Sequence, residues 1–145
     1  ASVWDTHSNH FPRLRNYLLP VFDQSYSALI TDLDDRGLLE ETLVLCTSEH
    51  GRTPQIDSKP VGGARHHWSR AYSSVFAGGG MARGRVVGET DSIAGDVVDT
   101  PISPKDMQAT AYHLLGFEES ATVPDQQGRP HPIAGDGRMR RELLG

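Results

Sequence analysis

Three short segments of this chain combine carboxylate and imidazole side chains, the donors that proteins use for acid–base chemistry and for binding divalent cations. The residues are Asp5, His7 and His10; Glu49 and His50; and His66 and His67. Each segment taken alone also fits an ordinary polar surface loop. Because three such segments occur in one chain, we favour a metal site over three incidental loops. Oxygen and nitrogen donors without thiolates suit Zn²⁺ or Mn²⁺, with Ca²⁺ or Mg²⁺ as alternatives.

The spacing within each segment limits which side chains can share an ion. Asp5 and His7 are separated by one residue, so in an extended segment both point to the same side. His10 is an alternative to His7 as the imidazole donor. His66 and His67 are adjacent, so we expect only one of them to bind the ion.

The stretch Thr42–Pro54, TLVLCTSEHGRTP, organises the rest of the chain. Its apolar first half predicts a strand over Leu43–Thr47, fully buried in a parallel sheet. Ligands collect just past the carboxyl ends of such strands, and Glu49 and His50 lie there. Cys46 is the chain's single cysteine, which excludes an internal disulfide, and its place in the apolar run predicts a buried, unreactive thiol.

Two helices should support the strands. Apolar residues at helical spacing predict a main helix from about Leu19 to Asp35, with Pro20 in its first turn and Gly37 after its end. A short helix or turn should precede it. Ser103, Pro104 and Asp106 predict a capped helix over Ser103–Leu115. We expect a second strand at Ala71–Ala77, followed by a tight glycine turn. The alternation of strands and helices predicts an α/β fold with a mostly parallel sheet and flanking helices.

Composition narrows the range of partners. The 145 residues suffice for a single domain over 1–145, with a Pro/Gly-rich, irregular tail over 117–145. The net charge is −5 and no basic run is present, which argues against a nucleic-acid partner. No apolar stretch is long enough to span a membrane as a helix.

The order of these motifs resembles the C-terminal half of the alkaline phosphatase/sulfatase superfamily. The segments WDTHSNHF, LLPVFDQSYSALITDLDDRGLLEETLVLCTSEHGRTP and HHWSRAYSSVFAGGG are similar, more narrowly, to the bacterial family DUF1501. The resemblance implies that the chain is the C-terminal part of an alkaline-phosphatase-like fold. It also implies an exported or periplasmic location.

The same resemblance implies a ligand set, which is Asp5, His7, Glu49, His50 and His67. Arg52 would bind the anionic substrate. This chain departs from the superfamily pattern because Asp5 and His7 are separated by one residue instead of three, and because Glu49 replaces an aspartate. The nucleophile of the superfamily lies in an N-terminal half that this chain lacks, so we expect the fragment to be inactive alone and that half to be its partner.

Two functions follow as expectations. The first is the C-terminal part of a metal-dependent hydrolase acting on small phosphate or sulfate esters. The second is a non-catalytic DUF1501 protein whose vestigial or structural metal site serves binding or surface assembly. A third interpretation, an α/β domain without a metal, would make all three segments incidental.

Overall fold

A computed structural model describes residues 4–145, and their first regular element is one long helical stretch that begins at His10. Helix α1 covers His10–Arg13, a π-helical turn covers Leu14–Leu18, and helix α2 covers Leu19–Asp35. The bounds predicted for the main helix are confirmed. The chain does not break before Pro20, because the wider π turn accommodates a residue that has no N–H to donate. Gly37, with φ of 68°, ends the stretch.

The apolar stripe of α2 is only partly covered by the rest of the described chain. Phe22, Ile30 and Leu33 are half-buried, whereas Val21 is 64% exposed. No residue of α2 is fully buried. Of the apolar residues in the helical stretch His10–Asp35, only Leu18, in the π turn before α2, is fully buried in the core.

Helix α3 covers Pro104–Leu114 and has the predicted cap. The Asp106 N–H donates to the Ser103 hydroxyl (3.1 Å), and the Ser103 N–H donates back to the Asp106 carboxylate (2.9 Å). Since both bonds of a capping box are present, two N–H groups at the helix start have partners. This sequence prediction is confirmed.

Within residues 4–145, the strands form four separate pairs, each antiparallel. Their bounds are Val44–Cys46 (β1), Gly51–Arg52 (β2), His67–Trp68 (β3), Val75–Ala77 (β4), Glu89–Thr90 (β5), Val97–Asp99 (β6), Thr122–Pro124 (β7) and Pro130–Pro132 (β8). Strand β1 pairs with β4, β2 with β3, β5 with β6, and β7 with β8. The predicted glycine turn follows β4, and Gly78, Gly79 and Gly80 all have positive φ.

The prediction of an α/β fold with a mostly parallel sheet and flanking helices is therefore wrong. The assignment of the chain as the C-terminal part of an alkaline-phosphatase-like fold is wrong as well. Parallel strands need a crossover of a dozen or more residues, usually a helix, between them. The six strands from β1 to β6 follow one another with no helix between them in the structure. The chain between β1 and β4 contains the β2–β3 pair and loops but no crossover helix, and all the pairs that form are antiparallel.

Burial of the central strand also differs from its prediction. Strand β1 has three residues, and Leu45 at its centre is 44% exposed, because the strand has a single partner and one uncovered face. Cys46 is half-buried and not fully enclosed.

The core within residues 4–145 is small. Its buried apolar residues are Leu18, Leu39, Ala64, Ala71, Met81 and Ala109. The largest fully buried side chains are two threonines, Thr6 and Thr110. None of the described helices combines the length and apolarity that a membrane span requires.

Candidate metal centre

Strands β2 and β3 form the base of the site. Gly51 pairs with Trp68 and Arg52 with His67, and the ladder continues where the Thr53 N–H donates to the His66 carbonyl at 2.9 Å. A Cβ atom on Gly51 would lie 1.9 Å from the carbonyl oxygen of Ala71. Only glycine permits this approach, so Gly51 allows β2 to lie close to the segment that follows β3.

The segment containing Asp5 and His7 docks on this base through backbone bonds at its end. The N–H groups of Asn9 and His10 donate to the carbonyls of Val61 (2.9 Å) and Gly63 (3.0 Å). Asn9 adopts φ of 49°, a left-handed conformation that asparagine tolerates better than most residues.

Two arginines complete the attachment. Arg52 donates from Nη2 to the Trp4 carbonyl (3.0 Å) and to Asp5 Oδ1 (3.1 Å), and from Nη1 to the Arg65 carbonyl (3.2 Å). Arg65 in turn donates from Nη2 to the Arg52 carbonyl at 3.1 Å. Arg52, predicted as the residue that binds the anionic substrate, therefore holds the Asp5 segment against β2.

Three predicted ligands meet at one point. Asp5 Oδ1 lies 2.8 Å from His7 Nε2 and 2.8 Å from His67 Nε2, and the two nitrogens are 3.3 Å apart. Donors bound to one Zn²⁺ at ordinary distances lie about 3.3 Å apart in tetrahedral geometry and about 2.9 Å apart in octahedral geometry. The observed separations fit a single small divalent cation. We call Asp5, His7 and His67 the donor triad.

The carboxylate of the triad is kept ionised. The hydrogen bond with His67 is the largest cause that lowers the pKa of Asp5, to about 2. Burial opposes it, and Arg52 and His7 lower the pKa further. An ionised carboxylate is the form that binds a cation. All three side chains are accessible to solvent, with 43–57% of each exposed.

The remaining predicted ligands lie beside the triad and not in it. The ring of His50 is nearly parallel to that of His67, with centroids 4.6 Å apart. Glu49 accepts a hydrogen bond from the Ser48 hydroxyl at 3.4 Å. Its own backbone N–H is the main cause that lowers the pKa of its carboxyl, and His50 contributes further.

His10, the alternative to His7, points elsewhere. It is buried, and its Nδ1 lies 2.6 Å from the hydroxyl of the fully buried Thr6. Burial, followed by the positive charge of Arg52, lowers the pKa of His10. Its contacts are those of a structural residue that fixes the turn between the triad segment and α1.

Asp57 contacts the site although sequence reasoning assigned it no role. Its Oδ2 lies 3.6 Å from Nε2 of His66. No local pattern indicates this contact, because it depends on the bridge between Asp57 and Ala64 that folds the loop back.

A small α+β chain with a two-histidine, one-carboxylate donor triad is the class that this fold and site define. The chain belongs to the family DUF1501, described as a protein of unknown function, whose match covers residues 1–144. This confirms the family that the sequence resembles, whereas the larger superfamily is not shown. Neither the curated proteins nor the solved structures contain a significant match to this chain.

Proposed function

We propose that this chain binds one divalent cation through Asp5, His7 and His67, and that the ion serves the hydrolysis of small phosphate or sulfate esters. The observation that carries the proposal is the convergence of three donor atoms within 2.8–3.3 Å of one another, from segments about 60 residues apart. Two imidazoles and one carboxylate favour Zn²⁺ or Mn²⁺ over the harder Ca²⁺ and Mg²⁺.

The number and exposure of the ligands support a catalytic ion. Structural zinc sites close with four protein ligands, whereas catalytic sites keep three and leave room for water or substrate. When bound, the ion supplies Lewis-acid polarisation of an ester oxygen and a more acidic water. Arg52 holds Asp5 in place, and its positive charge beside the triad favours an anionic substrate.

The alternative, a metal site with a non-catalytic role in binding or assembly, also has an observation in its favour. Within residues 4–145, no serine, threonine or cysteine side chain forms a hydrogen bond with a triad atom. A hydrolase that uses a covalent nucleophile needs such a group at the ion. The hydrolase function then requires a water molecule, or a residue outside the described range, as the nucleophile.

Metal titration tests whether the chain binds a divalent cation, which both proposed functions require. The chain is stripped with a chelator and titrated calorimetrically with Zn²⁺ and with Mn²⁺, beside His67→Ala and the matched surface control His113→Ala. We expect about one ion per chain, the count of a single three-ligand site, retained in the control and lost in His67→Ala. Equal binding by all three proteins, or none by the wild type, would refute the proposal.

Hydrolysis then separates the two functions. The protein is produced at its full natural length, loaded with the metal and assayed with aryl phosphate and aryl sulfate esters. Turnover that disappears in His67→Ala supports the hydrolase. Stoichiometric metal without turnover of either ester supports the non-catalytic role.

A further inference from the structure

His7 has a polar neighbour at each of its ring nitrogens. Nε2 lies 2.8 Å from Asp5 Oδ1 and 3.3 Å from Nε2 of His67. Nδ1 lies 3.1 Å from Nδ1 of His66. The two rings are parallel to within 24°, and their centroids are 5.4 Å apart. A ring nitrogen lies about 1.15 Å from the centre of an imidazole, so the 3.1 Å gap and the two ring radii account for the whole separation. The rings therefore meet end to end, which is the geometry of an in-plane N–H···N hydrogen bond.

Such a contact requires one proton between the two nitrogens, and the surroundings decide which ring carries it. Nε2 of His66 faces the carboxylate of Asp57 at 3.6 Å. This carboxylate favours a proton on Nε2 of His66 and leaves its Nδ1 as an acceptor. Without an ion, Asp5 Oδ1 at 2.8 Å favours a proton on Nε2 of His7. When a cation replaces that proton, Nδ1 of His7 donates to His66 and the lone pair of Nε2 is directed at the ion. That tautomer is the one that binds a metal ion through Nε2.

The two partner residues are held independently of His7. The backbone of His66 is fixed on both sides by Thr53, whose N–H donates to the His66 carbonyl (2.9 Å) and whose hydroxyl accepts from the His66 N–H (3.1 Å). Asp57 exchanges two backbone bonds with Ala64 and accepts the Lys59 N–H on its carboxylate at 3.0 Å. The acceptor for His7 is therefore in place before any ion binds.

We propose that His66 is a positioning residue, which accepts the Nδ1–H of His7 and so presents Nε2 of His7 to the divalent cation, with Asp57 orienting His66. This inference rests on the proposed function, because it concerns the same ion. It also assigns different roles to the adjacent histidines, since His67 binds the ion directly and His66 acts through His7. Partners of this kind typically change metal affinity by about 10–100-fold when they are removed.

The side chain that replaces His66 can be chosen to test the hydrogen bond and not merely the presence of a ring. In His66→Asn, the amide oxygen can take the position of Nδ1 and accept from His7. In His66→Gln, the amide lies one carbon further out, near the position of Nε2, and cannot make the same bond. His66→Leu removes all polarity. Because His66 is exposed, we expect each variant to melt as the wild type does without metal.

The experiment is calorimetric titration of these three variants and the wild type with the ion that the wild type binds best. We expect the dissociation constant to rise about 10–100-fold in His66→Leu and His66→Gln, as for other partners of metal-bound histidines, and to return to within about threefold of wild type in His66→Asn. Asp57→Asn retains an acceptor for Lys59 and should weaken binding by only a few-fold. In the metal-loaded wild type, nitrogen NMR should show His7 protonated at Nδ1.

Two outcomes would overturn the inference, and they differ from failure of the metal site itself. If His66→Leu binds as tightly as the wild type, or if His66→Asn binds as weakly as His66→Leu, His66 does not act through its hydrogen bond. If the wild type binds no ion, the proposed function fails first and the positioning role fails with it. The wild-type titration distinguishes these cases.

Discussion

Replacing Arg52 by lysine tests whether Arg52 stabilises the folded Asp5 segment or serves only to bind the substrate. The guanidinium makes three hydrogen bonds, to the carbonyls of Trp4 and Arg65 and to the carboxylate of Asp5, and its side chain is 23% exposed. Lysine keeps the positive charge but has a single nitrogen, which cannot reach three acceptors in different directions. Hydrogen bonds that involve a charged group contribute about 1.5–3 kcal/mol each, and their losses are not additive.

We therefore expect Arg52→Lys to lower the free energy of unfolding by about 2–3 kcal/mol, corresponding to the loss of one or two such bonds. With a urea m-value of about 1–3 kcal/mol per molar, the midpoint should fall by about 1–3 M. The assay is urea unfolding followed by circular dichroism of the helices, with Arg15→Lys as an exposed control. Metal affinity should fall as well, since Asp5 loses its anchor.

An unchanged urea midpoint in Arg52→Lys would refute this reasoning. It would show that the three bonds exchange for water without cost and that Arg52 does not hold the Asp5 segment. If stability were unchanged while binding of a phosphate ester weakened, Arg52 would act in substrate binding, as the family resemblance implies, and not in holding the Asp5 segment.

Three further changes test the supports of the fold and the site. Asp106→Ala should lower the free energy of unfolding in urea by about 2–4 kcal/mol and Ser103→Ala by only about 1 kcal/mol, because Asp106 also accepts the Arg138 N–H (2.8 Å). Equal losses in the two variants would contradict this reasoning. Gly51→Ala should cost at least about 1–3 kcal/mol, since its Cβ would collide with a backbone carbonyl, and it should weaken Zn²⁺ binding, which calorimetry measures. Burial lowers the pKa of His10 below its unfolded value of 6.5, so on acidification the unfolded state binds the extra proton first. The stability contributed by neutral His10 should therefore be full above about pH 6.5 and decrease as the pH falls below it. In a pH series of thermal melts, the melting temperature should decrease less steeply for His10→Gln than for the wild type.

The helices could be predicted from the sequence because their signals are local. Gly37 and the pair Ser103 and Asp106 act within a few residues of the helix ends that they mark. The π turn before Pro20 could not be predicted, because it depends on how the carbonyls of the preceding turn adjust to a missing N–H.

Strand positions were partly predictable, whereas strand partners were not. The apolar run around Val44–Cys46 does form a strand. Its partner, Val75–Ala77, lies about 30 residues further on and is antiparallel to it. A short apolar run indicates an extended backbone but contains no information about strand direction, so neither this run nor the alternation of elements could establish a parallel sheet.

The chemistry of the site was visible in residue types, and its geometry was not. Asp5, His7 and His67 were among the predicted ligands, and the structure brings them together. The sequence could not choose between His7 and His10, because that choice depends on the buried contact of His10 with Thr6. Spacing could not separate His66 from His67 either; the family resemblance indicated His67, which the structure places with Asp5 and His7.

The same contacts explain how an exposed site can be well ordered beside a small core. Closing a loop of about 60 residues between the two halves of the triad costs conformational entropy. In this chain that cost is offset by backbone bonds from Asn9 and His10 and by the three bonds of Arg52. Of these, only the Arg52 bond to Asp5 Oδ1 involves a donor atom of the triad. An ion that arrives at donors already 2.8–3.3 Å apart does not need to close the loop itself. More of its interaction energy then remains as affinity, which is the advantage of a pre-organised site.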